Sequence, residues 1–129
     1  GMLRCDFPGG WNGDKNNYFS EQGRDERQNE ALNFLKNILH WRNNNSELIA
    51  KGTLKHFPPK QGVYVYKREL GDKSVVVILN GTSREQTLEL SFFKELFPKN
   101  IAKNIINNKS IDLGNQLHLY SRDILILGF

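Results

Sequence analysis

The feature that most constrains the fold is a series of short apolar segments that begins near Gly52 and continues to the end of the sequence. In "GVYVYKREL" valines alternate with tyrosines, as in a strand with two different faces, and "SVVVILN" is a nearly continuous apolar run that suits a central strand. Turn residues separate such segments, as in "LGDK" and "NGTS". About seven or eight strands at this close spacing predict a mostly β chain, an antiparallel β-sandwich.

One helix is predicted before the strands. Asp25 is followed three residues later by Gln28, which is a capping-box signal, and the asparagine run 43–45 ends the pattern. We therefore predict a helix over residues 26–43. Its apolar residues cover a wide arc, which indicates two packing partners rather than one. They are Ala31, Leu32, Phe34, Leu35, Ile38, Leu39 and Trp41.

The opening segment, residues 1–24, has neither a helical nor a strand period, although it contains four large aromatic residues: Phe7, Trp11, Tyr18 and Phe19. A structureless lead of this length is unusual in a compact domain. A free polar tail would lack large aromatic side chains. We therefore expect this segment to pack against something outside this chain.

Composition excludes several classes of protein. The 129 residues suffice for one ordinary domain, and 38% hydrophobic with 25% charged residues is typical of a globular chain. No apolar run approaches the ~20 residues of a membrane helix, and no signal peptide is visible. The single cysteine, Cys5, excludes an internal disulfide framework. The net charge is +4, but basic residues are spread along the chain among acidic ones, so we expect no nucleic-acid partner.

Motifs for catalysis or metal binding are missing from the sequence. There is no Gly-x-Ser-x-Gly elbow and no P-loop, and His40, His56 and His118 lack metal-ligand spacing. The sequons Asn80-Gly81-Thr82 and Asn108-Lys109-Ser110 are interpreted as turns, because Asn-Gly is a common hairpin turn. The residues alone therefore predict a β-sandwich and name no reaction.

Three short motifs carry a resemblance to a known family. They are "DFPGGWNGD" at residues 6–14, "LHWR" at 39–42 and "GVYVY" at 62–66. With these motifs the chain resembles, over nearly its whole length, the C-terminal part of a family-13 glycoside hydrolase of the alpha-amylase superfamily. The neopullulanase and cyclomaltodextrinase branch is the most similar.

The resemblance implies a domain organisation. Enzymes of this family have a catalytic (β/α)8 barrel followed by a C-terminal β-sandwich. Residues 1–45 would then be the last loop and helix of a truncated barrel, and residues 46–129 the sandwich domain. The aromatic opening segment would lie at the face of the barrel where active sites are found. The implied partner is the chain's own barrel in the parent enzyme, packed on one side of helix 26–43.

The resemblance also implies that this chain is inactive alone. Such enzymes use a carboxylate nucleophile and a carboxylic acid/base, and a further aspartate supports the transition state. In the family all three come from barrel strands upstream of this segment, and none of their motifs occurs here. Asp6, Asp14 and Asp25 are therefore given no catalytic role. The expected function is to stabilise a barrel that hydrolyses alpha-glucans such as starch fragments.

Substrate contacts are implied only for the parent. Arg4 and Asp6 lie where family members contact glucose units distant from the scissile bond, and Trp11 could stack on a sugar face. The structural alternative is that Asp6 turns the loop and Arg4 pairs with a neighbouring carboxylate. A second functional hypothesis is a free-standing starch- or maltooligosaccharide-binding module that uses Tyr66, Tyr120 or Trp11.

The remaining expectations concern partners and location. No cofactor is expected in this chain, and calcium is an option only in the parent. Without the barrel, either the apolar face of helix 26–43 should drive self-association, or the N-terminal region should refold onto the sandwich. The family's usual work on polysaccharide fragments suggests a periplasmic or otherwise exported parent.

Overall fold

The computed structural model describes residues 6–129 and contains two α-helices, one 3₁₀ segment and eight strands. The prediction of a mostly antiparallel β fold with one helix before the strands is confirmed. The helices are α1 (Glu26–Asn44) and α2 (Ser46–Lys51), and the 3₁₀ segment is Leu90–Leu96. The strands are β1 (Thr53–His56), β2 (Val63–Leu70), β3 (Lys73–Asn80), β4 (Gln86–Glu89), β5 (Ile101–Asn104), β6 (Ser110–Asp112), β7 (Gln116–Leu119) and β8 (Ile124–Gly128).

The chain divides into two compact units, Gly1–Asn37 and Ile38–Phe129, and the division lies inside α1. The predicted boundary between residues 45 and 46 refers to a catalytic barrel, and it stays a prediction.

The aperiodic opening segment of the first unit is a folded loop. Two backbone N–H groups, those of Gly9 and Trp11, donate to Asp14 Oδ2 at 2.7 and 3.1 Å, and they close a turn. The rings of Phe7 and Phe19 meet edge to face with centroids 4.8 Å apart. The loop is therefore ordered by its own contacts, although the side chains of Phe7, Trp11 and Phe19 stay largely exposed.

The start of α1 has the predicted capping box. The Gln28 N–H donates to Asp25 Oδ1 at 2.8 Å, and the Asp25 N–H donates to Gln28 Oε1 at 3.0 Å. Two N–H groups that no helical carbonyl can reach are thereby satisfied. Arg24 joins the loop to this turn, because its Nη1 donates to the Tyr18 carbonyl at 2.6 Å and its Nε donates to Asn29 Oδ1 at 2.7 Å.

The second unit is built on two antiparallel sheets. The larger sheet has six strands in the order β1-β2-β3-β8-β5-β6, and the smaller one pairs β4 with β7. The apolar strand β3 lies between β2 and β8, as its sequence predicts for a central strand. The sandwich core lies between the sheets and includes Val76, Ile78, Leu117 and Leu119.

The larger sheet also has an apolar outer face. Val75 and Val77 of β3 lie there, and the side chains of Leu48, Ile38 and Trp41 pack over them. One side of the end of α1 therefore covers the sheet. This accounts for a sheet whose central strand is buried on both faces.

An ion pair between a buried lysine and a partly exposed glutamate lies on β2. Lys67 occupies an inward position of the strand, its side chain is 8% exposed, and its Nζ lies 2.5 Å from Glu69 Oε2. The hydrogen bond and the positive charge of Lys67 lower the pKa of Glu69. Burying the ammonium group costs less because a carboxylate partner is present.

We expect the ion pair of Lys67 and Glu69 to make the free energy of unfolding decrease as the pH falls into the acid range. A carboxylate whose pKa is lowered in the fold stabilises it above the unfolded pKa, and this contribution is lost as the pH falls through the folded pKa. Urea unfolding at pH 7 and pH 3 should show a smaller acid loss in Glu69→Gln than in the wild type. Glu30→Gln, a substitution of an exposed helix residue, is the matched control. Equal acid losses in the wild type and Glu69→Gln would contradict this role.

Candidate functional site

Of the predicted substrate-contact residues, Asp6 and Trp11 lie in the first unit and Arg4 lies outside the described residues. Asp6 and Trp11 are exposed. Within the described residues, Asp14 holds the turn of this loop, and the alternative in which Asp6 turns the loop stays a prediction. The contact of these residues with glucose units stays a prediction.

Trp11 is presented on a fixed turn. The N–H groups of Gly9 and Trp11 lower the pKa of Asp14, so its carboxylate stays ionised and continues to accept both hydrogen bonds. The Trp11 side chain is 70% exposed. An exposed indole on a hydrogen-bonded turn has the geometry of a stacking platform.

The other two predicted sugar-stacking residues lie apart from each other. Tyr66 belongs to the apolar outer face of the larger sheet, where its ring lies 5.5 Å from that of Tyr64. Burial, and to a lesser degree Tyr64, raises the pKa of the Tyr66 hydroxyl. Tyr120 follows β7 of the smaller sheet, is exposed, and contacts the His118 ring edge to face at 4.9 Å. Tyr66 and Tyr120 therefore cannot form one platform, since the larger sheet lies between them.

An apolar row on α1 is the most extended exposed feature of that helix. Leu32, Leu35 and Leu39 are 43%, 54% and 59% exposed. Their spacing of three and four residues places them on one side of the helix. Ile38 and Trp41 lie on another side and pack on the sheet. The helix thus has the two apolar sides that the wide arc predicted, and the partner of the leucine row stays a prediction.

A second feature, the edge cleft, was not predicted from the sequence. It has a volume of about 360 Å³ and lies between β4, the β1–β2 connection and the 3₁₀ segment. The rings of Phe57 and Phe93 meet in it edge to face with centroids 5.1 Å apart. Phe92 is 67% exposed, and Lys60 Nζ lies 5.2 Å from the centroid of its ring. In the sequence, the adjacent residues Phe92 and Phe93 are the only indication of an aromatic cleft, and their adjacency does not show which of the two rings is buried.

The described residues supply no metal centre and no membrane span. Within residues 6–129 there is no group of three or more His, Cys, Asp or Glu side chains that could hold a metal ion. No helix in the same range is long and apolar enough to cross a membrane.

Comparison with protein families finds a match that covers more than half of the chain. The model of the family described as the cyclo-malto-dextrinase C-terminal domain matches residues 54–128. The match covers all eight strands except the first residue of β1.

Solved structures share this fold at low identity. An alpha-amylase from Geobacillus thermoleovorans, complexed with acarbose, is 24% identical with a TM-score of 0.63, over 82% of this chain and 24% of that one. AmyP in complex with maltose is 14% identical with a TM-score of 0.65, over 81% and 21%. A trehalose-6-phosphate hydrolase from Bacillus licheniformis is 18% identical with a TM-score of 0.58, over 72% and 17%. The chain spans less than a quarter of the length of each.

Proposed function

The chain belongs to the family of cyclo-malto-dextrinase C-terminal domains, the C-terminal domain of family-13 glycoside hydrolases, and from this membership we propose that it is a non-catalytic part of an enzyme that hydrolyses alpha-glucans. In that enzyme the sandwich and α1 pack on the catalytic barrel and stabilise it. The barrel supplies the catalytic carboxylates. This chain supplies apolar surface.

The observation that carries the proposal is the exposed leucine row of α1. Leu32, Leu35 and Leu39 are apolar and aligned, yet they are not covered by the described residues. Burying a leucine side chain contributes about 1.5–3 kcal/mol, so a row of three is a strong packing surface. Exposed apolar patches of this kind mark interaction sites. A barrel packed on the row would remove it from water.

The proposal predicts two properties of the 129-residue chain. It should release no sugar from maltoheptaose or pullulan, because the catalytic carboxylates are elsewhere. It should also self-associate, because the leucine row remains uncovered. Sedimentation velocity should show dimers or larger species for the wild type and mainly monomers for the double variant Leu35→Asp, Leu39→Asp. The loss of two buried leucines should weaken association by more than about tenfold.

The control for sedimentation is Asn33→Asp, which adds a carboxylate to another exposed side of α1. It should associate like the wild type. Genuine turnover of either glucan would contradict the non-catalytic role. A wild-type chain that stays monomeric at all concentrations would contradict the role of the leucine row.

A second candidate function is a free-standing module that binds starch-like glucan, and the exposed indole of Trp11 favours it. Calorimetry with maltoheptaose separates the two functions. Weak binding that is lost in Trp11→Ala would support the module. The absence of a heat of binding at millimolar maltoheptaose would exclude the glucan-binding function.

A further inference from the structure

Strand β4 has one unpaired edge in the part of the chain that the structure describes. It pairs with β7 alone, in the register Gln86↔Leu119 to Glu89↔Gln116. The Leu90 N–H donates to the Asn115 carbonyl at 3.0 Å, and this bond sets the alternation of the ladder. In an antiparallel ladder every second residue directs its N–H and C=O groups away from the partner strand. In β4 these residues are Thr87 and Glu89.

The unpaired edge borders the edge cleft. All four residues of β4 line this cleft, opposite Phe57 and Val65 of the larger sheet and its connections. The cleft is mainly apolar, and the exposed ring of Phe92 stands in its lining. Backbone donors and acceptors two residues apart, about 6.8 Å along the strand, therefore lie beside an apolar depression.

The charges that line the cleft favour an occupant with an acidic residue. Glu89 already accepts a hydrogen bond from Gln116 Nε2. Lys60 stands over the Phe92 ring, and no carboxylate pairs with it among residues 6–129. An occupant with a carboxylate near Lys60 would meet a complementary charge.

We propose that the edge cleft binds an extended segment of a separate polypeptide, which adds a strand to β4. The segment pairs with the outward N–H and C=O groups of Thr87 and with the N–H of Glu89, because the Glu89 C=O accepts the first hydrogen bond of the 3₁₀ segment. It inserts one apolar side chain toward Phe57 and Phe93, and it places an acidic residue near Lys60. This mode of recognition takes affinity from the backbone and specificity from the pocket. The proposal is independent of the role of α1.

A proline substitution tests the backbone pairing directly. Glu89 has φ −75° and ψ 110°, a conformation that proline adopts, and its N–H points away from β7. Glu89→Pro therefore removes one donor of the edge with little strain, as proline does on edge strands. Glu89→Ala is the matched control, since it removes the same carboxylate and keeps the N–H.

The probe is a displayed library of random heptapeptides, selected on the immobilised 129-residue chain. Enriched peptides are then synthesised with a fluorescent label, and their polarisation is measured with each variant. We expect alternating apolar sequences with an acidic residue. Their affinity should fall at least about tenfold for Glu89→Pro and less than about twofold for Glu89→Ala.

Two further measurements keep the test decisive if Glu89→Pro fails to fold. Phe92→Ala removes an exposed side chain and should weaken the peptide at least about fivefold, whereas Tyr120→Ala, at an exposed aromatic outside the cleft, should leave affinity unchanged. N-methylation of every second amide of the peptide should abolish binding when the methylated amides face β4. Methylation of the other set of amides should leave binding intact. Failure to enrich any peptide, equal affinity for the wild type and Phe92→Ala, or displacement of the peptide by maltoheptaose would overturn the proposal.

Discussion

Replacement of Asn80 by aspartate is expected to lower the free energy of unfolding by about 3 kcal/mol, although the two side chains have the same shape. Asn80 is 3% exposed. Its Nδ2 donates to the carbonyls of Arg84 and Tyr120, both at 2.7 Å. Its Oδ1 accepts from the N–H of Thr82 at 3.0 Å. Aspartate loses both donors and sets a buried carboxylate against two carbonyl oxygens.

Urea unfolding at pH 7 measures this loss. Asn107→Asp is the matched control, because Asn107 is exposed and uses only its Oδ1, which accepts from the Lys109 N–H at 3.0 Å. A carboxylate can accept the same bond, so the control should stay within about 0.5 kcal/mol of the wild type. Equal stability of the two variants would show that the contacts of Asn80 do not hold the β3–β4 connection.

Truncation of Ile78 to alanine is expected to cost about 3 kcal/mol and to lower the melting temperature by about 10 °C. Ile78 is 0% exposed and lies in β3, at the centre of the cluster between the two sheets. Removing three carbons there leaves a cavity that the neighbouring strands can fill only in part.

The control for this truncation is Ile101→Ala, the same change at a strand residue that is 64% exposed. Thermal unfolding followed by circular dichroism should place the control within about 2 °C of the wild type. A loss in Ile78→Ala as small as that of the control would contradict the assignment of the sandwich core.

Local sequence patterns predicted the elements that depend on neighbouring residues. The capping box of Asp25 and Gln28 correctly predicted the start of α1. The helix ends at Asn44, one residue beyond its predicted end at Asn43. The alternation in "GVYVYKREL" placed Val63 and Val65 on one face of a strand, and the structure shows that this face is the buried one. Periods of 3.6 and 2 residues are visible in the sequence itself.

The arrangement of the strands could not be read in the same way. The division into six and two strands depends on long-range packing, which leaves no local period. The turn predicted at Asn80-Gly81-Thr82 is a bend that carries the chain from the larger sheet to the smaller one, rather than a hairpin turn. The turn predicted around Asn108 joins the paired strands β5 and β6, and Asn108 has φ +60°.

Of the candidate sites, the one on a single helix could be predicted from the sequence, and the one formed by separate segments could not. The wide apolar arc of α1 predicted two packing sides, because a helix displays its faces in its sequence. The edge cleft was missed, because Phe57 is distant in sequence from Leu88 and Phe93 and meets them only in the folded sandwich. Nothing in the sequence indicated that Asp14 holds the opening turn, because this role depends on which carboxylate reaches the N–H groups of Gly9 and Trp11.

The most direct test of the central claim is the genomic sequence immediately upstream of the segment that encodes this chain, translated in all three frames. The claim is that the chain is the C-terminal part of an alpha-glucan hydrolase. It predicts a (β/α)8 barrel with the three catalytic carboxylates, in frame or across a frameshift. Upstream DNA that encodes no barrel in any frame would contradict the claim, and it would leave the glucan-binding module as the better account.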